Sequence, residues 1–318
     1  MTARRRLRIL TWHVHGNYLY NLTQVPHDFY LLTDAIRSTH YSGRSGTLPW
    51  GDNVHDAPVE SVRERAFDAI LFQSRDAWEE GQHRYLSAAQ RRLPRLYLEH
   101  DPPQEHPTDM RHWAAQPDVV IVHCTPFNAL MWDNGPSTTF VVEHGVKPLR
   151  EVAWGGDTPR GLVVVNNLQS RGRRLGLDVY EAMAAQVPLR LIGMNSERVP
   201  GGAGEVRNDL LPQVMAEHRF FFNPIRYTSL GLAIIEAMLV GMPIVGLATT
   251  ELCTVIRDGH NGFVDTRPER LLEAMRYLLA DRDAARRLGQ AARRTAVERF
   301  GIERFVSDWM AVLHQVTS

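Results

Sequence analysis

Residues 220–265 constrain this chain most, because they alternate elements that pack together only in a parallel α/β layer. Phe220, Phe221 and Phe222 form a short apolar run that stops at Asn223-Pro224, which predicts a buried strand ending in a loop. Residues 230–240 carry apolar side chains at helical spacing, with Gly241 as a stop and Pro243 just beyond. Ile244-Val245-Gly246-Leu247 reads as the next buried strand, and another helix start follows. A helix that begins at Ser229, Leu230, Gly231 and Leu232, soon after a strand, presents free backbone N–H groups and the positive end of its dipole. That is a place for a phosphate. Glu236 sits about two turns into this helix. A carboxylate there is either a helix-surface residue or an acceptor for a ligand's hydroxyls, and both readings stay open.

The rest of the chain has the size for a second layer of the same kind. Its 318 residues suffice for two domains, and an apolar fraction of 44% suits a globular protein. Basic and acidic side chains balance at 36 each, so no net field argues for nucleic acid. Lys147 is the only lysine, and the cationic chemistry is therefore almost all arginine. Cys124 and Cys253 form no paired motif, which points to a reduced, cytoplasmic setting. No apolar run of about twenty residues exists, so no spanning helix is expected. The basic start, Arg4-Arg5-Arg6 with Arg8, reads as a solvated segment, with peripheral contact to anionic lipid as the most it would do.

In chain order, residues 7–12 predict a first strand that leads into His13-Val14-His15-Gly16. Gly16 stands where a helix should begin, either as a turn residue or as a phosphate contact. Further strands are expected at 28–32, 68–73, 94–98, 118–122 and 139–142, with a short helical piece at 33–38, a long loop over 39–58 and a helix over 77–93. His100, His123 and His144 follow three of these strands and so share one rim of the sheet. Each is as readily structural as functional, and His100 is the first choice for function. His13, His15, His123 and Cys124 lack a regular metal-ligand spacing, and Asp281-Arg282-Asp283 falls at a helix start, where capping alone accounts for it. No metal and no cofactor are expected.

Residues 148–161 read as an interdomain linker, rich in Gly and Pro. A strand over 162–165 then leads into a loop carrying Arg171, Arg173 and Arg174 beside Gly172 and Gly176. This is a good anion site, unless the loop is only a solvated basic one. Residues 177–185 predict a helix, 189–192 a strand and 210–216 a helix. Three helices close the chain at 267–279, 281–300 and 302–316, the last with Phe305, Trp309 and Leu313 as its core-facing stripe.

The organising stretch resembles the donor-sugar segment of the family 4, or group 1, glycosyltransferases. Gly231-Leu232, Glu236-Ala237-Met238, Gly241 and Pro243-Ile244-Val245 follow that family's pattern, as do Ile256-Arg257-Asp258-Gly259 and Asn261-Gly262-Phe263-Val264. The first Glu of the family's pair falls on Thr228, its usual Phe on Leu230, and the Arg of its phosphate loop on Asn167. The Lys of that loop has three possible counterparts, Arg171, Arg173 and Arg174. The resemblance implies a GT-B fold of class α/β, two Rossmann-like domains facing a central cleft. It places an N-terminal acceptor-side domain at 1–150, shortened for the family, a nucleotide-sugar-binding domain at 151–300, and a final helix at 301–318 that packs back on the first domain.

The activity it implies is metal-independent, retaining transfer of a hexosyl or N-acetylhexosaminyl group from a nucleotide-diphosphate sugar to an unidentified hydroxyl acceptor on a glycan, lipid or small metabolite. His100 and Thr228 would stand at the sugar. Gly16, Arg171, Arg173, Arg174, Ser229, Leu230, Gly231, Leu232 and Glu236 would bind the nucleotide and its phosphates, with Glu236 on the ribose. The loss of a carboxylate at Thr228 keeps a second reading in play, a nucleotide-sugar-binding protein with little or no transferase activity.

Overall fold

A computed structural model describes residues 5–148 and 150–317, and it resolves into two compact units. Unit 1 comprises Met1–Gly145 with Ile302–Ser318, and unit 2 comprises Val146–Gly301. Arg4, part of the basic start, lies outside the described residues.

Unit 1 is built on seven parallel strands, β1 (Arg8–Thr11), β2 (Asp28–Thr33), β3 (Val54–Pro58), β4 (Ala69–Phe72), β5 (Arg95–Glu99), β6 (Val119–His123) and β7 (Thr138–Val141), in the order β3-β2-β1-β4-β5-β6-β7. The order reverses between β1 and β4, the doubly wound arrangement whose ligands sit beyond the carboxyl ends of the strands at that reversal. The central strands are apolar on both faces because helices and turns cover both, and β4 is buried at all four residues.

Three local expectations are corrected here. Residues 33–38 form no helix; β2 runs through Thr33, and the Asp34 carboxylate then accepts the Ser38 N–H at 2.9 Å, a side-chain-closed turn. The long loop ends at residue 53, since β3 pairs in register with β2 from Phe29↔Val54 to Thr33↔Pro58. Its sequence, Val-His-Asp-Ala-Pro, hides it, because an edge strand tolerates polar residues and proline. The expected helix over 77–93 is broken into Ala77–Gly81, Gln82–Tyr85 and Gln90–Arg92. Ser87 and Gln90 cap each other reciprocally, Gln90 Oε1 accepting the Ser87 N–H at 2.9 Å and Ser87 Oγ the Gln90 N–H at 3.2 Å, so a new helical start interrupts the old one.

The helix Ile302–Thr317 belongs to unit 1. Phe305 and Trp309 are fully buried, the Phe305 ring lies 5.6 Å from that of Tyr18, and the Trp309 indole donates to Tyr18 Oη at 3.3 Å. Arg304 Nη2 donates to the Glu143 carbonyl at 2.9 Å.

Unit 2 carries five parallel strands, β8 (Thr158–Val164), β9 (Leu189–Ile192), β10 (His218–Asn223), β11 (Ile244–Leu247) and β12 (Gly262–Asp265), in the order β12-β11-β10-β8-β9. Its reversal lies between β8 and β10. β8 begins earlier than its Pro159 and Gly161 suggest. A Cβ on Gly161 would lie 2.4 Å from the Phe220 ring, so the glycine is the seat for a packed aromatic and not a linker residue. β12 was hidden in the same way as β3, as a short edge strand opening on a glycine. β9 and β11 fall where the apolar runs place them. No helix among the described residues is long and apolar enough to cross a membrane.

Candidate functional site

In unit 2 two loops flank the reversal, one after β8 and one after β10. Gly176, at φ +83°, ends the first, and a Cβ there would lie 1.9 Å from the Pro224 carbonyl oxygen in the second. Only glycine allows this approach. Backbone bonds then lace the loops together, with the N–H groups of Arg226 and Tyr227 both donating to the Arg174 carbonyl, at 3.0 and 3.3 Å. Arg174 Nε returns a bond to the Tyr227 carbonyl at 3.3 Å. Asp178, in the first turn of helix Leu177–Ala184, accepts from Arg226 at 2.6 and 2.9 Å and from Arg173 at 2.6 Å. Arg226 and Asp178 were not singled out in the sequence. The only signals for them were their places in the chain, Asp178 two residues after Gly176 of the arginine-bearing loop and Arg226 two residues before Thr228.

The lacing brings Arg171, Arg173 and Arg174 to one end of the sheet with Thr228, Ser229, Leu230, Gly231 and Leu232. Their surroundings differ. Arg171 and Arg173 are exposed, and no side-chain bond ties Arg171 to the described residues. Arg174 is half-buried beneath Tyr227. Asn167 holds a left-handed turn at φ 57° and accepts from Asn195 Nδ2 at 2.7 Å, so this position supplies a fixed amide and no charge.

The helix Leu232–Val240 starts with Gly231 as its N-cap, and the cap has no side-chain hydrogen bond. The first N–H groups therefore lack intrahelical acceptors. Gly231 has an ordinary φ of −70°, and a Cβ there would meet nothing nearer than 3.9 Å. Neither backbone geometry nor packing demands glycine at 231; a ligand lying against the helix start would. Leu230 sends its side chain into the core with Ile234 and Ile235, leaving its backbone for any contact. Ser229 is buried and Thr228 half-buried.

Glu236 is half-buried on an otherwise apolar helix, and its carboxylate makes no hydrogen bond or ion pair with the described residues. Burial alone pushes its pKa up to about 7. A carboxylate desolvated without an internal donor is costly unless donors arrive from outside the protein.

In unit 1 the strand-end histidines lie at the carboxyl ends of parallel neighbours, with Glu99 and His123 in register across β5 and β6. His123 is structural in character. It is fully buried, bonded through Nε2 to Asn134 Oδ1 at 2.9 Å, and held neutral by burial, which lowers its pKa to about 4. His144 is buried with its ring 5.6 Å from that of Tyr18. His100 bonds through Nε2 to Gln73 Oε1 at 3.1 Å and lies 3.7 Å from Cys124 Sγ through Nδ1. Burial holds it neutral as well. Glu99 accepts from His112 Nε2 at 3.0 Å and from the Asp101 N–H at 2.8 Å, which fixes the backbone on either side of His100. Gly16 begins the helix Gly16–Leu22, where a Cβ would press on His13 Nε2 at 3.0 Å.

No three His, Cys, Asp or Glu side chains among the described residues are gathered as a metal-ligand set. Asp281 caps its helix, accepting the Ala284 N–H at 2.8 Å.

Residues 201–281 match the family model described as Glycosyl transferases group 1. No curated protein matches the chain. Among solved structures, HepE of Anabaena in complex with UDP-glucose is similar with a TM-score of 0.73 at 14% identity, over 98% of this chain and 100% of that one. Sucrose-phosphate synthase from Thermosynechococcus elongatus gives 0.70 at 17% identity, over 98% and 99%. A glycosyltransferase from Rickettsia africae gives 0.67 at 11% identity, over 98% and 99%. The resemblance to group 1 glycosyltransferases thus holds over residues 201–281, and the α/β fold of two Rossmann-like domains, GT-B, over nearly the whole chain.

Proposed function

We propose that the chain transfers a sugar from a nucleotide-diphosphate sugar to a hydroxyl acceptor. The observation that carries this is Glu236, a half-buried carboxylate with no donor among the described residues, about one turn beyond the open N–H groups of Leu232 and Ala233 on one helix. Ribose hydroxyls on Glu236 would place the diphosphate at those N–H groups. As the glycosidic bond breaks, negative charge grows on the diphosphate. The amides at Gly231 and Leu232, with Arg171, Arg173 and Arg174, would stabilise it. Arginine and amide donors supply this without a metal ion, and we assign no cofactor.

HepE has been solved with UDP-glucose, which makes uridine diphosphate sugars the first donors to test. A hexosyl or N-acetylhexosaminyl donor, retention at the anomeric carbon, and a glycan, lipid or small-metabolite acceptor follow from the family resemblance. Thr228, near the helix start, can offer the sugar a hydroxyl but no charge. That favours one second reading, a nucleotide-sugar binder with little turnover. Free thiols at Cys124 and Cys253 suit a reducing compartment, and we place the protein in the cytoplasm.

Incubation with UDP-glucose, GDP-mannose and ADP-glucose, with the released sugar and nucleotide both measured, separates the readings. Slow release of sugar from one donor supports the transferase. Binding without release, across a range of acceptors, supports the binder.

A further inference from the structure

Among the described residues of unit 2, the three that hold a positive φ without being glycine all lie on one rim of its sheet. They are Asn167 at 57°, Asn195 at 58° and Thr250 at 50°. Their strands β8, β9 and β11 end at Val164, Ile192 and Leu247. Each therefore stands three residues past its strand, on the side where a parallel sheet meets its ligands. Backbone strain of this kind gathers where ligands are held.

The three differ in cost. Asparagine tolerates the left-handed region, and Asn195 Nδ2 donates to Asn167 Oδ1 at 2.7 Å, which ties those two turns together. Thr250 is β-branched, and its side chain crowds the backbone in that region. The fold demands the turn, because Leu252 lies back over β11; a Cβ on Gly246 would stand 2.6 Å from Leu252 Cδ2. It does not demand threonine, since glycine holds such a turn without the crowding. No bond within the chain offsets the cost. Thr249 Oγ1 is committed to the Ile225 carbonyl at 3.0 Å, joining the loop after β11 to the loop after β10. The half-buried Thr250 beside it makes no side-chain hydrogen bond with the described residues.

We propose that Thr250 is a further donor-recognition residue of unit 2, its hydroxyl bonded to an oxygen of the bound nucleotide sugar. That oxygen is a hydroxyl of the sugar or an oxygen of a phosphate, and a threonine hydroxyl can pair with either. The tie from Thr249 to Ile225 sets Thr250 beside the loop that carries Arg226, Thr228 and Ser229. The assignment rests on the reading that the chain binds a nucleotide sugar, and adds to it a contact from the loop after β11.

The test pairs calorimetric binding with thermal melting of the full chain. The ligands are whichever of UDP-glucose, GDP-mannose and ADP-glucose the wild type binds, and the matching nucleoside diphosphate. Thr250→Val keeps the shape and loses the hydroxyl, and should weaken the nucleotide sugar by about three- to tenfold. Thr250→Ser returns the hydroxyl and should recover that affinity. A loss confined to the nucleotide sugar assigns the contact to the sugar, and an equal loss for the nucleoside diphosphate assigns it to a phosphate. Thr250→Gly should lose affinity as Thr250→Val does, yet melt level with the wild type or above it. Relief of the left-handed crowding offsets the freedom that glycine adds to the unfolded chain. A threonine kept for the fold would give the reverse. Unchanged affinity in Thr250→Val, or a Thr250→Gly chain that binds normally and melts several degrees lower, overturns the assignment and leaves the donor reading standing. No binding of any of the three donors by the wild type overturns both together.

Discussion

Asp178 holds Arg226 through both carboxylate oxygens, at 2.6 and 2.9 Å, across 48 residues of sequence. The pair joins the loop after β8 to the loop after β10 at the strand reversal of unit 2. It also engages Arg173, so one carboxylate orders two guanidinium groups at the candidate phosphate site. The neighbouring arginines draw the Asp178 carboxyl below the usual range, Arg226 most of all. Each partner is partly exposed, so the pair contributes order more than stability. Asp178→Ala should therefore lower the affinity for UDP by several-fold while moving the melting temperature little. A large loss of stability with unchanged UDP affinity would mean that the pair serves the fold alone.

Arg173 and Arg174 differ in exposure but share the loop. Replacing both by alanine should weaken UDP more than uridine, because under the proposed function the lost donors serve the phosphates and not the nucleoside. Calorimetric titration with each ligand reads the difference. Equal losses for the two ligands would make the loop a structural one.

Glu236 makes stability depend on pH in a defined direction. Its ordinary value is 4.5 and burial raises it to about 7. Between these values the folded form binds more protons than the unfolded form, so stability falls as pH rises through that window and stays lower above it. The cost above pH 7 is on the order of 3 kcal/mol. Glu236→Gln removes it, so unit 2 of the variant should melt several degrees above wild type at pH 8 and level with it at pH 4.5. A gap of the same size at both pH values would assign the effect to packing.

Trp309 tests the place of the last helix. It is fully buried and bonded to Tyr18, and Trp309→Ala should cost unit 1 about 3–5 kcal/mol. Scanning calorimetry should show the lower transition in that unit. An unchanged unit 1 would contradict the docking.

Much of this fold was legible because its central strands are continuous apolar runs and its helices carry clear stripes. The three phenylalanines of β10, the run 244–247, and Phe305 with Trp309 are of that kind. What stayed hidden was hidden for physical reasons. β3 and β12 are edge strands, which need little apolar sequence. The break within 77–93 depends on a side-chain cap between Ser87 and Gln90. The arginine-bearing loop after β8 was legible as a motif, yet Arg226 was not, because its partner is distant in sequence. Glu236 could be located but its burial could not. Periodicity gives the face of a helix and does not say whether a carboxylate on it meets a donor. The rim histidines could be aligned from sequence, while the tautomer of His100 depends on which way Gln73 turns its amide.

The most direct test of the account is the affinity for UDP of the wild type and of Glu236→Ala, measured by calorimetry from pH 5 to 8, about two units below and one above the Glu236 value. The account predicts micromolar-range binding by the wild type that is strongest above about pH 7 and weakens as Glu236 takes up a proton, and no measurable binding by the variant. Wild-type binding that is flat across this range and unchanged in Glu236→Ala would contradict the ribose assignment, and with it the placement of the donor along the helix Leu232–Val240.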